Sequence, residues 1–209
     1  MQVTMIKQPS SAVCEFAARM CYGAKDGMKA LLSAIDSGHE SLLEHETFSF
    51  HVSGVSRVLL AQLTRHRIAS YSVRSQRYCG ATLDYVIPQT IYEDEELSAD
   101  LYKLLNVAEA FYLKATRKGV PDEDARYFTF QAGLTELVVT MNIRELRHFL
   151  SLRCCNRAQW EIRAVADEIL RQAREVLPEF FNDAGPGCVR GRCPEGKKSC
   201  GKPRKELMV

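Results

Sequence analysis

The sequence predicts an α+β fold. Short segments with alternating apolar residues indicate strands, and longer segments with apolar residues at helical spacing indicate helices. The two kinds of segment are mixed without strict β-α-β alternation, which favours α+β over a doubly wound sheet. Because the sequence contains neither G-x-G-x-x-G nor G-x-x-x-x-G-K-[ST], we expect any nucleotide to be held by side chains.

The N-terminal half is predicted to alternate between the two kinds of element. Ser10 or Ser11 is a suitable cap for the first helix and Gly23 a suitable stop, and Gly38 ends the second. In the next strand Phe48, Phe50 and Val52 alternate with polar residues, and an apolar helical stripe follows Ser56. The predicted elements are a strand over 2–6, helices over 11–22 and 28–37, a strand around 47–52 and a helix over 57–66, after which the chain is interpreted as a loop.

The C-terminal half is predicted to be mainly helical. Residues 83–87 are interpreted as a strand closed by Pro88, and 137–141 as a β-branched apolar strand. Apolar spacing predicts helices over 94–117 and 142–153, and a last long helix that ends near Leu177. Pro121 suits the first turn of a short acidic helix.

Composition limits the class of protein and its compartment. The chain of 209 residues has 28 Lys and Arg against 26 Asp and Glu, so its net charge of +2 gives no global sign of nucleic-acid binding. No segment resembles a signal peptide or a membrane span, and a cytoplasmic protein is expected. Eight cysteines without an export signal are expected to be reduced thiols.

The C-terminal segment differs from the rest. We predict one domain over 1–181 and a Gly-, Lys- and Cys-rich tail over 182–209. Cys188, Cys193 and Cys200 are separated by four and six residues, whereas zinc sites favour two-residue gaps and a fourth ligand. We therefore expect free thiols in the tail and no metal.

Arginines are concentrated between residues 65 and 78. Four arginines, one histidine and three serines occur there without lysine, in a zone free of acidic residues from 47 to 83. Guanidiniums bind phosphate or carboxylate bidentately, and serine hydroxyls add further donors. A solvated basic face is the alternative, but apolar residues interleaved with the arginines favour partial burial. A second basic region over 144–157 could complete a site for a phosphorylated ligand.

Three blocks of the sequence resemble one known family. Arg65-His66-Arg67, seven further residues, then Ser75 and Arg77-Tyr78 match the signature of the flavin-dependent thymidylate synthases. Two more blocks, over 38–45 and 142–162, resemble the family's upstream and downstream blocks in the same order. The chain departs from the pattern at Val73, where members often have an acidic residue.

The resemblance implies a fold, a reaction and partners. The fold would be a central, mostly antiparallel twisted sheet flanked by helices, like that of the thymidylate synthase-complementing proteins, in a homotetramer with active sites at subunit interfaces. The reaction would convert dUMP to dTMP with methylenetetrahydrofolate as carbon donor and NADPH-reduced FAD as hydride source. The enzyme would need no nucleophile of its own, and none is evident in the sequence.

Site residues are implied by motif position. Arg153 would lie against the uracil as the catalytic cation, and Arg126 would reach the nucleotide from another subunit. The residues implied to bind dUMP are Gln62, Arg65, Arg74, Ser75, Gln76, Arg77, Arg126 and Arg153. Those implied to bind FAD are His45, Thr47, Arg65, His66, Arg67, Asn142, Arg144 and His148, with Arg157 a further candidate.

Two other classes remain possible from the sequence. A nucleic-acid-binding module could use the same arginines, and its affinity would fall steeply with salt. A non-catalytic scaffold could bind zinc through the tail cysteines.

Overall fold

The computed structural model describes residues 1–191 and 193–207. Four strands form one antiparallel sheet with the order β1-β2-β4-β3. The strands are β1 (Gln2–Lys7), β2 (Thr47–Ser56), β3 (Ala69–Val73) and β4 (Leu134–Asn142).

The helices account for most of the remaining described chain. The α-helices are α1 (Ala12–Tyr22), α2 (Gly27–Asp36), α3 (Arg57–Leu63), α4 (Gln89–Tyr92), α5 (Glu95–Arg117), α6 (Asp122–Ala125), α7 (Ile143–Arg153), α8 (Trp160–Val176) and α9 (Pro178–Phe181). Short 3-10 helices lie at Glu40–His45, Arg126–Phe128, Gly187–Arg190, Gly196–Lys198 and Lys205–Leu207. The predicted α+β class is confirmed.

Local capping explains why the longer helices begin and end where predicted. Gly23 ends α1 in the left-handed conformation, with φ of 60°. The Asp94 carboxylate accepts a hydrogen bond from the Leu97 backbone N–H and begins α5. Asn142 does the same for α7 by accepting from the Glu145 N–H at 2.8 Å.

Two predictions around the arginine-rich segment were wrong. Residues 69–73, interpreted as a loop, form β3, in which half-buried and exposed residues alternate as in an edge strand. Residues 83–87, predicted to be a strand, make one isolated bridge between Tyr85 and Gly133. Two backbone hydrogen bonds hold that bridge, from Val86 to Ala132 and from Leu134 to Asp84, and Pro88 follows too soon for a longer ladder.

Helix α3 also ends earlier than predicted, at Leu63 instead of His66. The Tyr71 hydroxyl lies 2.8 Å from the carbonyl oxygens of both Leu63 and His66, to which it donates. A side chain from β3 thus satisfies carbonyls at the end of α3 that a longer helix would have satisfied itself. Residues 65–67 consequently lie in the turn between α3 and β3.

The chain divides into two compact units. Unit 1 comprises residues 1–2, 53–62 and 72–137, and unit 2 comprises 3–52, 63–71 and 138–209. In unit 1, Leu105 and Tyr112 of α5 are buried, and the Tyr112 hydroxyl donates to Asp122 at 3.1 Å. In unit 2, the buried Phe48 packs edge-on against Phe181, with ring centroids 5.5 Å apart.

The predicted division into a domain over 1–181 and a tail over 182–209 stays a prediction. The described tail residues contribute one buried charged side chain, Arg204, which is 8% exposed. Across residues 1–191 and 193–207, no helix combines the length and apolar character needed to cross a membrane.

Candidate active site

The residues predicted to form the site are distributed over both compact units. Unit 1 contains Gln62, Arg74, Ser75, Gln76, Arg77 and Arg126. Unit 2 contains His45, Thr47, Arg65, His66, Arg67, Asn142, Arg144, His148, Arg153 and Arg157.

A chain of three polar side chains lies between α7 and the turn after α3. The His66 ring is 5% exposed, and its Nδ1 lies 3.1 Å from Oε1 of Glu145. Its Nε2 accepts a hydrogen bond from Nε of Arg153 at 3.1 Å. Since Arg153 is a donor, Nε2 must carry a lone pair, so His66 is neutral and donates through Nδ1 to Glu145. Glu145 and His66 together orient the guanidinium of Arg153.

The electrostatic surroundings match this assignment. Burial lowers the pKa of His66 below 6.5; the hydrogen bond that His66 donates to Glu145 opposes this effect, and the charge of Arg153 adds to it. Burial also lowers the pKa of Arg153, and the charge of Arg65 acts in the same direction. Two cations near each other in a partly buried site favour an anionic ligand.

Stability should therefore depend on His66 at mildly acidic pH. Because its folded pKa lies below the unfolded value of 6.5, the unfolded chain takes up the proton first. The contribution of His66 to the free energy of unfolding is present above pH 6.5 and is lost as the pH falls towards the folded pKa. Urea unfolding of the wild type and of His66→Gln between pH 8 and pH 5 should show a shallower acid loss in the variant, whereas parallel curves would contradict the assignment.

A cavity beside α7 contains three of the predicted flavin-binding residues. This cavity, the α7 cavity, has a volume of about 530 Å³ and is lined by Asn142, Arg144 and His148. Arg147 and Arg190 add two more guanidiniums to its wall, and Glu40, Glu44 and Glu145 add three carboxylates. Arg144 is half exposed and pairs with Glu44 at 2.5 Å, an exposed ion pair of low net stability that an anionic ligand can replace.

The other predicted flavin-binding residues lie on neighbouring segments of unit 2. Thr47 begins β2, and its hydroxyl accepts from the Lys7 ammonium at 2.7 Å. His45 ends the 3-10 helix Glu40–His45 and is exposed, as are Arg65 and Arg67. Arg157 donates to the Lys198 carbonyl of the tail at 2.5 Å.

A second cavity, in unit 1, contains two of the predicted dUMP-binding residues. This cavity, the Arg126 cavity, has a volume of about 410 Å³ and is lined by Arg57, Gln76 and Arg126, with residues of the segment 127–131. Gln76 is 8% exposed. Nη1 of Arg57 is buried and has no hydrogen-bond partner, and the pKa of Arg57 is lowered by burial and by the charge of Arg126. Two like charges at one cavity favour an anionic ligand.

The remaining predicted dUMP-binding residues of unit 1 have partners within the chain. Arg74 pairs with Glu136 at 3.2 Å, and Arg77 pairs with Glu123 at 2.5 Å; both pairs are substantially exposed. Ser75 Oγ accepts a hydrogen bond from the Arg77 backbone N–H at 3.2 Å, which suits a binding hydroxyl. Gln62 lies half-buried on α3.

Sequence reasoning missed two residues of these sites. Glu145 could have been found as the third residue after the capping Asn142, where an acid is typical of a helix start. Arg57 had a weaker signal, because an arginine at the start of a helix is unremarkable until its burial is known.

The fold and the two cavities define the class of protein. It is an α+β protein with two sites whose arginines suit ligands with phosphate groups. Among the described residues one histidine is buried, His66, and it orients Arg153.

Comparison with known proteins identifies the family. Residues 3–179 match the family model described as thymidylate synthase complementing protein. The flavin-dependent thymidylate synthase of Geobacter sulfurreducens is 45% identical over 93% of this chain and 90% of its own length. That of Nitratidesulfovibrio vulgaris is 47% identical over 85% of this chain and 78% of its own length. The chain therefore belongs to the flavin-dependent thymidylate synthase family, as the sequence motifs indicated.

A solved structure supports the fold independently. The UMP/dUMP methylase PolB from Streptomyces cacaoi, bound with 5-Br dUMP, superposes with a TM-score of 0.76 over 86% of this chain and 92% of its own. Its 23% identity supports a common fold. Family membership favours the nucleotide enzyme over the nucleic-acid-binding module.

Proposed function

We propose that this protein is a flavin-dependent thymidylate synthase that methylates dUMP to dTMP. Methylenetetrahydrofolate would be the carbon donor, and NADPH the reductant of FAD. The observation on which the proposal depends is family membership at 45% identity over nearly the whole chain. FAD, when bound, supplies the hydride that completes the methyl group.

In this proposal Arg153 stabilises negative charge on the uracil. As C5 becomes nucleophilic, charge develops on the ring oxygens, and a guanidinium already fixed by His66 and Glu145 needs little reorganisation to meet it. His66 remains neutral and leaves the positive charge to Arg153. Gln62, Arg65, Arg74, Ser75, Gln76, Arg77 and Arg126 are proposed to bind dUMP, chiefly its phosphate.

The thiols of the two buried cysteines, Cys14 and Cys154, are poor nucleophiles, so neither is a candidate for a covalent enzyme intermediate. Burial raises the pKa of Cys14 to about 11, and burial also raises that of Cys154, with Asp167 acting in the same direction. A thiol attacks as its thiolate, so both groups are largely inactive at neutral pH.

The residues around the α7 cavity fit a dinucleotide flavin in donor type, because Asn142, Arg144 and His148 offer side-chain donors beside three carboxylates. Asn142, Arg144 and His148 are proposed to hold it, together with His45, Thr47, Arg65, His66 and Arg67. Arg144 offers a guanidinium of the kind that binds a pyrophosphate, whereas Arg147 already donates to the Asp183 carboxylate.

We also propose a homotetramer that acts in the cytoplasm. Several large apolar side chains are exposed on two helices of the single chain, and burial between subunits would remove them from water. On α1 these are Val13, Phe16 and Met20, and on α5 they are Leu97, Leu104, Val107 and Phe111. Light scattering during size-exclusion chromatography should give four times the chain mass of 23.6 kDa; a monomer would contradict the proposal.

The proposed function predicts a coloured protein. Purified protein should show oxidised-flavin absorption, which NADPH should bleach under anaerobic conditions, and faster with dUMP present. Deoxyuridine is the matched control, because it lacks the phosphate that the arginines would bind. A colourless protein that binds neither FAD nor dUMP would overturn the proposal.

A further inference from the structure

Four cysteines line a third cavity, formed between the α7–α8 connection and the tail. This cavity, the tail cavity, has a volume of about 410 Å³ and lies within unit 2. Cys155 comes from the connection, and Cys188, Cys193 and Cys200 come from the tail. All four are free thiols, and none is fully buried. The tail alone has three cysteines, one fewer than a four-sulfur site needs. Cys155, which lies 33 positions upstream of Cys188, supplies the fourth sulfur.

Hydrogen bonds join the two walls of the tail cavity, which are the α7–α8 connection and the tail. Asn156 donates to the Lys202 carbonyl at 2.7 Å, and Arg157 donates to the Lys198 carbonyl. The buried Arg204 donates to the Cys154 carbonyl at 2.7 Å and to the Asp167 carboxylate at 2.9 Å. The tail therefore packs on the helical body at a defined register, which keeps its cysteines opposite Cys155.

Two of the sulfurs already accept hydrogen bonds from the backbone. The Lys202 N–H lies 3.4 Å from Sγ of Cys200, and the Arg204 N–H lies 3.5 Å from Sγ of Cys188. The Cys200 thiol in turn donates to the Lys202 carbonyl at 3.4 Å, a bond that deprotonation would remove. Backbone N–H groups directed at sulfur stabilise thiolates, and such bonds tune iron–sulfur clusters.

Positive charge surrounds the same sulfurs. Arg153, Arg157, Lys202 and Arg204 line the tail cavity together with one carboxylate, that of Glu195. Four thiolates around a divalent ion or a [4Fe–4S]²⁺ core leave a net charge of −2, which these cations can offset. The cavity walls thus suit a thiolate-rich, anionic group.

The four thiols line a cavity of about 410 Å³, which leaves room for a metal–sulfur core between them. Sulfur ligands of a zinc ion lie about 2.3 Å from the metal, so all four must converge on one point. Within the described chain, no three cysteine, histidine or acidic side chains converge in that way. A [4Fe–4S] cluster holds its four cysteine sulfurs much further apart, around a core that needs a cavity.

We propose that Cys155, Cys188, Cys193 and Cys200 bind a [4Fe–4S] cluster. Each thiol releases its proton and bonds one iron through sulfur. The cluster links the tail covalently to the connection that follows Arg153. The tail cavity is distinct from the two cavities assigned to dUMP and FAD, although Arg153 lines it, and this proposal does not depend on the proposed function.

The test uses full-length protein purified without oxygen. Analysis should give about four iron and four acid-labile sulfide per chain, and reduction with dithionite should produce an electron paramagnetic resonance signal that flavin alone does not give. Stoichiometric zinc without iron, or protein free of both metals after anaerobic purification and reconstitution with iron and sulfide, would overturn the proposal.

Single-residue variants show which thiols bind the cluster and distinguish loss of the cluster from loss of the fold. Cys200→Ser and Cys155→Ser should each lose most of the iron and sulfide, whereas Cys21→Ser, which removes an exposed thiol of α1, should retain both. Far-ultraviolet circular dichroism and FAD content should be unchanged in all three, which shows that loss of iron is not loss of fold. Full iron content in Cys155→Ser would contradict the assignment of the fourth ligand.

Discussion

Replacing Arg153 by alanine should reduce dTMP formation by about 10²- to 10³-fold, the usual effect of removing one preorganised donor from a site of charge development. The guanidinium is fixed through Nε by His66, itself held by Glu145, so it is available when charge develops on the uracil. FAD content, measured by absorbance after denaturation, should remain near that of the wild type. Product is measured by chromatography with saturating dUMP, folate donor and NADPH.

Two further variants make this result specific. Arg153→Lys keeps the charge but loses the planar Nε donor, so it should recover only part of the rate. Arg171→Gln, which removes exposed ion pairs on α8, should leave the rate unchanged. Near-normal dTMP formation by folded Arg153→Ala would remove Arg153 from the catalytic assignment.

Replacing Arg126 by glutamine should weaken dUMP binding by about 10- to 100-fold, the value of a charge-assisted hydrogen bond. Arg126 and Arg57 line one cavity with Gln76, and Nη1 of Arg57 has no partner there. A phosphate dianion in this cavity would offset both charges. Arg57→Gln should therefore weaken dUMP binding to a similar extent.

Calorimetric titration with dUMP and with deoxyuridine tests this prediction. Both variants should lose affinity for dUMP and keep the weak affinity of the wild type for deoxyuridine. Arg117→Gln, an exposed arginine at the end of α5, is the matched control. If Arg126→Gln binds dUMP as tightly as the control does, the Arg126 cavity does not bind the phosphate.

Elements that local chemistry determines could be predicted from the sequence. Gly23, Asp94 and Asn142 mark helix ends through their own backbone or side-chain bonding, and the structure confirms them. The end of α3 could not be predicted in this way, because it depends on Tyr71 from the following strand. The same tertiary dependence explains why β3 was interpreted as a loop.

The candidate site was predicted only in part. Motif positions identified Arg153 and His66, but not the buried Glu145 that fixes the tautomer of His66. Arg57 is of interest because its Nη1 is buried without a hydrogen-bond partner. Sequence spacing carries little information about the burial of one residue at the start of a helix. Likewise, nothing in the sequence indicated that Cys155 lines one cavity with the three tail cysteines, because that proximity depends on how the tail packs.

The most direct test of the central claim is product formation by the purified protein. Incubated anaerobically with dUMP, methylenetetrahydrofolate and NADPH, FAD-loaded protein should form dTMP, and omission of any one of these three should abolish product. Mass spectrometry of the nucleotide fraction would detect the added methyl group. Loaded protein that oxidises NADPH but forms no dTMP with all three present would contradict the proposed function.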